Sequence, residues 1–202
     1  MICCNDSNNN VVENQLYYYN NIKKILNIEK KKLINDDKLT NIIYLIISSE
    51  QIINELNCSE NEIENLDNLP QSIIELNCYN NSIISLDNLP SSITKLNCSN
   101  NLIVSLDNLP SSLTWLDCSK NNINYLNNLP RILKYLDCSR NRIFSLDNLP
   151  INLEYLNCSV NYLSKLDNLP LTLCRIVIYD NELDFISIRN KYRSRMFVQI
   201  HY

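Results

Sequence analysis

Six cysteines, Cys58, Cys78, Cys98, Cys118, Cys138 and Cys158, stand twenty residues apart. An asparagine follows three positions after each, and Asn61, Asn81, Asn101, Asn121, Asn141, Asn161 and Asn181 keep that register. A regular thiol column could be a metal array, a disulfide framework, a redox device or a packed core. Zinc needs four ligands converging on a tetrahedron, usually from paired C-x2–4-C spacings. The chain has no C-x-x-C, and its one histidine is His201. Strands stacked ~4.8 Å apart would bring cysteine Cα atoms within disulfide range, but their side chains would run parallel, so bridging would demand strain. Two residues after an apolar leucine, each thiol instead faces inward as a small, inert hydrophobe. No metal and no cofactor is expected.

The asparagines read as structural by the same logic. A buried amide offers two donors and an acceptor, enough to brace backbone groups at a bend. A second column, Asp67, Asp87, Asp107, Asp147 and Asp167, is broken by Asn127. Stacked carboxylates could hold calcium, which takes six to eight oxygens; side-chain capping of the turn before L-P is the reading favoured by the Asn substitution. A lone histidine supplies no triad-type base. Phosphate-cradling loops need glycine, and the chain has none. The chain is read as non-catalytic.

The elements that position these columns follow from the repeat itself. Each unit reads [IL]-x-x-L-x-C-x-x-N-x-[IL]-x-x-L-x-N-L-P-x-x from Ile53 onward, and all 6 prolines fall at its end. The unit from Leu173 replaces cysteine with Ile178. In the first half, Leu96 and Cys98 alternate with Lys95, Asn97 and Ser99, which predicts a short half-buried strand. The second half has apolar residues every third position and ends in proline, which predicts extended or 3₁₀-like backbone. Identical strands twenty residues apart stack in parallel as a solenoid. With no glycine, turns needing positive φ fall to Asn or Asp.

The pattern L-x-x-L-x-C-x-x-N-x-I is similar to the signature of the leucine-rich repeat family. The twenty-residue length and the N-L-P-x-S-L-x-x-L junction resemble the short repeats of bacterial effectors. The Asn- and Ile-rich, glycine-free dialect with C-S-x-N resembles leucine-rich repeat proteins of mimivirus-type giant viruses. The resemblance implies a curved parallel sheet on a concave face, and a role in binding proteins. No counterpart is expected here to the ubiquitin-ligase domain that follows the repeats in some effectors.

Three regions result: an N-terminal cap over 1–50, seven repeats over 51–188, and a basic C-terminal cap over 189–202. Residues 11–35 place Leu16, Tyr19, Ile22, Ile25, Leu26 and Ile28 at helical spacing, which predicts an amphipathic capping helix. Residues 41–50 look like half a decayed repeat, and Met196 to Tyr202 alternate well enough for a terminal strand. The start, MICCNDSNNNVVENQ, lacks basic and apolar signal-peptide regions, and no stretch suits a membrane span. A cytoplasmic protein is expected, in a host cytoplasm if viral. Cys3 and Cys4 could carry palmitate.

Function should lie where the repeats differ. Outward strand positions form three columns on the concave face. The first runs Glu55, Glu75, Lys95, Trp115, Tyr135, Tyr155, Arg175; the second contains Asp117 and Asp137 among asparagines; the third is mostly serine. Trp115, Tyr135 and Tyr155 lie side by side, flanked by Lys95, Lys134 and Arg175. Aromatics and Arg dominate interface hot spots, although cross-strand stacking alone would also place them there. From Glu50 to Asp117 there are ten acidic residues against Lys95; from Cys118 to Arg175, seven basic residues against four acidic. Such a gradient orients a charged partner. The expected function is a protein–protein interaction module, with no small-molecule substrate and no membrane. Two alternatives stand beside it: a substrate-recognition subunit of a larger ligase or effector complex, and nucleic-acid binding through Lys23–Lys38 and Arg189–Arg195. Against the second stands a net charge of −4.

Overall fold

In the computed structural model the residues described are 18–20, 25–28 and 52–184. Wherever L-x-C, or Ile176-Val177-Ile178 in the last unit, puts two apolar side chains at a period of two, the backbone forms a three-residue strand. These strands are β3 (Glu55–Asn57), β4 (Glu75–Asn77), β5 (Lys95–Asn97), β6 (Trp115–Asp117), β7 (Tyr135–Asp137), β8 (Tyr155–Asn157) and β9 (Arg175–Val177). Each buries its central Leu or Ile against the interior. Neighbours pair in parallel without offset, so that Leu96 lies opposite Leu76 on one side and Leu116 on the other. Like residues therefore stack in columns, and each coil lies on its copy. Two further strands, β1 (Tyr18–Asn20) and β2 (Ile25–Asn27), complete a nine-stranded sheet in sequence order.

The helix expected over 11–35 is overturned at 18–20 and 25–27, which are strands; no helix occurs among the described residues. β1 pairs antiparallel with β2, and β2 pairs parallel with β3. The physical reason lies in Leu26-Asn27-Ile28, which has the same alternation as Leu56-Asn57-Cys58. Leu26 and Ile28 are fully buried at 0% exposure while Asn27 is not, a period of two that outcompetes the helical spacing. The Ile28 N–H donates to Asn57 O at 2.8 Å, as Cys58 N–H donates to Asn77 O at 2.8 Å. β2 thus pairs the edge that β3 would otherwise present. The half-repeat at 41–50 and the terminal strand at 196–202 lie outside the described residues.

Inside the coils, the Leu, Cys and Ile columns form one continuous core. The asparagine column holds its upper bend. Asn101 Nδ2 donates to Cys98 O in its own coil (3.1 Å) and to Cys78 O in the preceding one (3.0 Å), while its Oδ1 accepts from Ile83 N at 3.0 Å. The same set recurs from Asn81 to Asn181. At the opposite bend serine does the stitching: Ser112 Oγ donates to Ser91 O and Ile93 O of the preceding coil. The proline closes an i→i+3 turn, with Leu113 N donating to Pro110 O at 3.1 Å. The convex side is extended backbone interrupted by such isolated turns, with no 3₁₀ helix among the described residues.

Two residues per coil take positive φ, and none is glycine. One column is asparagine throughout, from Asn68 (φ 62°) to Asn168 (φ 56°). The other contains Glu60, Asn80, Asn100, Lys120, Arg140, Val160 and Asp180. The expectation that Asn or Asp would fill these turns is therefore met in the first column and corrected in the second. Each of these residues is held by the ladder; Val160 N donates to Tyr179 O at 2.9 Å. A β-branched residue in the left-handed region is a steric outlier. Replacing Val160 with Asn should stabilise the protein by about 1 kcal/mol in urea denaturation. By contrast, Asn101→Ala should cost about 1–3 kcal/mol, because it orphans the Ile83 N–H and leaves two carbonyls short.

Candidate functional site

The variable positions of the seven parallel strands meet on one concave surface. Its first column is continuous across six strands. Lys95 Nζ lies 3.2 Å from Glu75 Oε2 and 5.9 Å from the centre of the Trp115 ring. Trp115 stacks on Tyr135 with centroids 4.9 Å apart and planes 12° apart. Tyr135 stacks on Tyr155 at 4.4 Å and 2°, and the Arg175 guanidinium lies 5.6 Å from the Tyr155 ring centre. The unshifted register forces this: rings at one strand position, one strand spacing apart, stand nearly face to face. Their faces are consequently occupied by each other and by the two cations. Ring edges and hydroxyls are what the column presents outward. Burial raises the Tyr135 phenol above its ordinary range, with the Tyr155 side chain and the charges of Asp137 and Asp117 adding to it.

Lys134, read as part of this cluster, turns instead to Glu154 at 3.0 Å. The column two residues further along the strands runs Asn57, Asn77, Asn97, Asp117, Asp137, Asn157. Each side-chain oxygen accepts from the backbone N–H two residues on, as Ser139 N does to Asp137 Oδ1 at 2.9 Å. This explains the third column. Ser59, Ser99, Ser139 and Ser159 are buried, because their hydroxyls fold back onto that same oxygen. These four were expected to point outward; in the third column only Tyr79, Ser119 and Tyr179 stay half-exposed.

Asp117 and Asp137 interrupt the amide column as register neighbours on β6 and β7. Asp137 Oδ2 accepts from Asn157 Nδ2 at 2.8 Å. Burial raises the Asp117 carboxyl above the usual carboxylate range; the Ser119 hydrogen bonds oppose this, and the charge of Asp137 adds to it. Like charges opposite one another in a sheet disfavour each other. The pair is therefore suited to receiving a donor or cation from outside, beside a wall of aromatic edges.

The other columns close on themselves. Asp87 Oδ1 accepts from Asn108 Nδ2 of the next coil at 3.0 Å, and its Oδ2 accepts from Ser85 Oγ at 2.7 Å. These bonds hold the Asp87 carboxyl below its ordinary value; Asp107 is lowered likewise by Ser105 and Asn128. The column spends its oxygens on turn capping and on a tie between coils. Among the described residues no cluster of three metal-ligating side chains occurs, and no helix is long and apolar enough to cross a membrane.

The six column thiols are fully buried and unbridged, whereas Cys174 is exposed. Burial pushes the Cys58 thiol up to about 12 and raises the other five as well. Because the thiolate is the reactive form, a thiol reagent mapped by mass spectrometry should modify Cys174 in the native protein. The six core thiols should react only once denaturant unfolds the chain.

No protein-family model matches the chain, and no curated protein matches it in sequence. Solved structures do. The chain is similar to YopM from Yersinia enterocolitica WA-314, with 34% identity over 65% of this chain and 34% of that one, at TM-score 0.54. It is similar to the leucine-rich repeat domain of a Shigella effector, with 25% identity over 82% of this chain and 87% of that domain, at TM-score 0.64. Internalin C2 from Listeria monocytogenes shares the fold at TM-score 0.71, with 21% identity over 88% of this chain and 80% of that one. The solenoid is thus a leucine-rich repeat fold, and it spans about a third of the length of YopM.

Proposed function

We propose that this solenoid is a non-catalytic protein-interaction module whose partner lies across the concave face. The observation that supports the reading is the single column from Glu75 through Lys95, Trp115, Tyr135 and Tyr155 to Arg175. Aromatic and Arg side chains held rigid by their neighbours lose little entropy on binding, which is what interface anchors require. Asp117 and Asp137 beside them set the polarity: the partner offers a donor or a cation there. Lys95 and Arg175, at the two ends of the ring stack, fix its register. The similarity to bacterial effector repeats supports a binding role. A reducing compartment such as the cytoplasm suits the six unbridged thiols, and the giant-virus dialect of the repeat would make it a host cytoplasm.

Stacking alone would also hold the rings together, so the test must separate stability from binding. Wild type and the Trp115→Ala, Tyr135→Ala double variant should be compared by affinity capture and by urea denaturation. Each ring pair contributes about 0.2–1 kcal/mol to the sheet, so the variant should remain folded. It should nonetheless lose the partner that wild type retains. Identical partner lists from two folded proteins would sink the concave-face reading.

A further inference from the structure

The solenoid carries a second ordered face, on the flank that follows the strands. There the coils stack through backbone hydrogen bonds: Leu102 N donates to Ile83 O, Asn122 N to Ile103 O and Arg142 N to Ile123 O, each at 2.8–2.9 Å. The backbone alternates as a strand does. Ile83, Ile103, Ile123 and Ile143 point inward at 0% exposure, and the residues on either side of each point out. What stands on this face changes along the stack in an ordered way. Its first coil carries Glu62, exposed and, among the described residues, without an ion pair. Next come Ile84 (61% exposed), Leu102 (49%) and Val104 (59%), apolar side chains in contiguous coils. Two coils beyond Leu102 stand Arg140 and Arg142, both exposed. Glu62 and Arg142 thus stand two coils to either side of Leu102 and Val104, with Asn122 and Asn124 in the coil before Arg142 and Phe144 beside it.

A face of that kind is complementary to itself. A two-fold axis lying in the plane of the flank, parallel to the strands and through the coil of Leu102 and Val104, would lay one copy antiparallel on another. It would bring Glu62 of each copy over Arg142 of the other, with Leu102 and Val104 of both in the middle. An isologous contact needs this symmetry, because each residue pair occurs twice. No other arrangement of the same charges satisfies both ends at once: a parallel side-by-side contact would set Glu62 against Glu62 and Arg142 against Arg142. We propose that this flank is a self-association surface, and that its occupant is a second copy of the chain. Glu60 and Glu64 beside Glu62 already have contacts of their own, so Glu62 is the acidic residue assigned to the pairing. Five coils at ~4.8 Å give a face roughly 20 Å long and two side-chain columns wide. That falls at the small end of specific interfaces, below about 1,200 Å² in total, so the dimer is a weak, concentration-dependent one.

Sedimentation equilibrium of the intact chain over roughly 10–500 µM brackets that regime. Wild type should show a monomer–dimer equilibrium. Glu62→Arg alone and Arg142→Glu alone should each weaken it by roughly tenfold or more, since each places like charges together at both ends of the contact. An equimolar mixture of the two variants should then associate as wild type does, because each heterodimer regains an Arg–Glu pair at both ends. The double variant Glu62→Arg, Arg142→Glu should behave likewise on its own. Circular dichroism confirms that these exposed substitutions leave the solenoid folded. A wild-type chain that stays monomeric throughout the range would overturn the proposal. So would association that neither reversal disturbs, or reversals that the mixture does not repair.

Discussion

Everything in this structure depends on the asparagine that closes each strand. A solenoid coil must bend sharply after its strand, and the bend strands backbone carbonyls and amides away from water, where an unmet polar group costs more than a made hydrogen bond returns. Asn Nδ2 reaches the carbonyl of its own coil and the equivalent carbonyl of the coil before, while Oδ1 takes the amide at the start of the preceding coil's flank. No shorter or longer side chain spans those groups with two donors and an acceptor. Once that brace sets the coil-to-coil spacing, the core leucines, the thiols and the concave side chains have no choice of register. The aromatic column is a downstream effect: three rings at the same place in three braced coils must stack.

The chain solves its turns without glycine, and the two positive-φ columns do so differently. In the D-N-L-P turn asparagine is used every time, and its side chain does further work by donating to the aspartate of the coil before, as Asn108 does to Asp87. In the other column Glu, Lys, Arg, Val, Asn and Asp all occur. There the ladder hydrogen bond on the backbone imposes the conformation, so side-chain identity is left open at a steric cost. Columns that are read by the backbone can vary in charge, and Lys120 and Arg140 show this one doing so.

Much of the molecule was legible in the sequence because a period of twenty with no slip leaves one way to stack. The strands, the inward thiols and the bracing role of asparagine follow from that period and from elementary sterics. Legibility stopped where the period stopped. Leu26-Asn27-Ile28 carries the same strand signal as the repeats but lies thirty residues before Leu56-Asn57-Cys58, off the register being tracked; within a longer stretch its apolar residues also fit helical spacing. The third concave column failed for another reason. Alternation assigns Ser99 to the outside, but a hydroxyl two residues after an Asx side chain has a nearer acceptor than water, and local hydrogen bonding withdrew it. The flank face was hidden because the period of three holds from Ile103 onward, through Leu106 and Leu109, whereas the residues from Asn101 to Val104 alternate at two.

Each tie between coils, whether from asparagine, serine or the Asp–Asn pair, reaches only to the adjoining coil. The architecture is therefore indifferent to how many units the gene encodes. Excising residues 113–132 would rejoin Ser112 to Leu133, and the unit after the junction has the sequence features needed to remake the lost contacts, except where its own residues depart from the consensus. The surfaces would not be indifferent. Lys95 would come to lie beside Tyr135, the tryptophan would vanish from the ring column, and the acidic and basic ends of the flank would draw one coil closer. In a chain built this way, unequal recombination between repeats rewrites what the protein touches while leaving almost untouched how it stands.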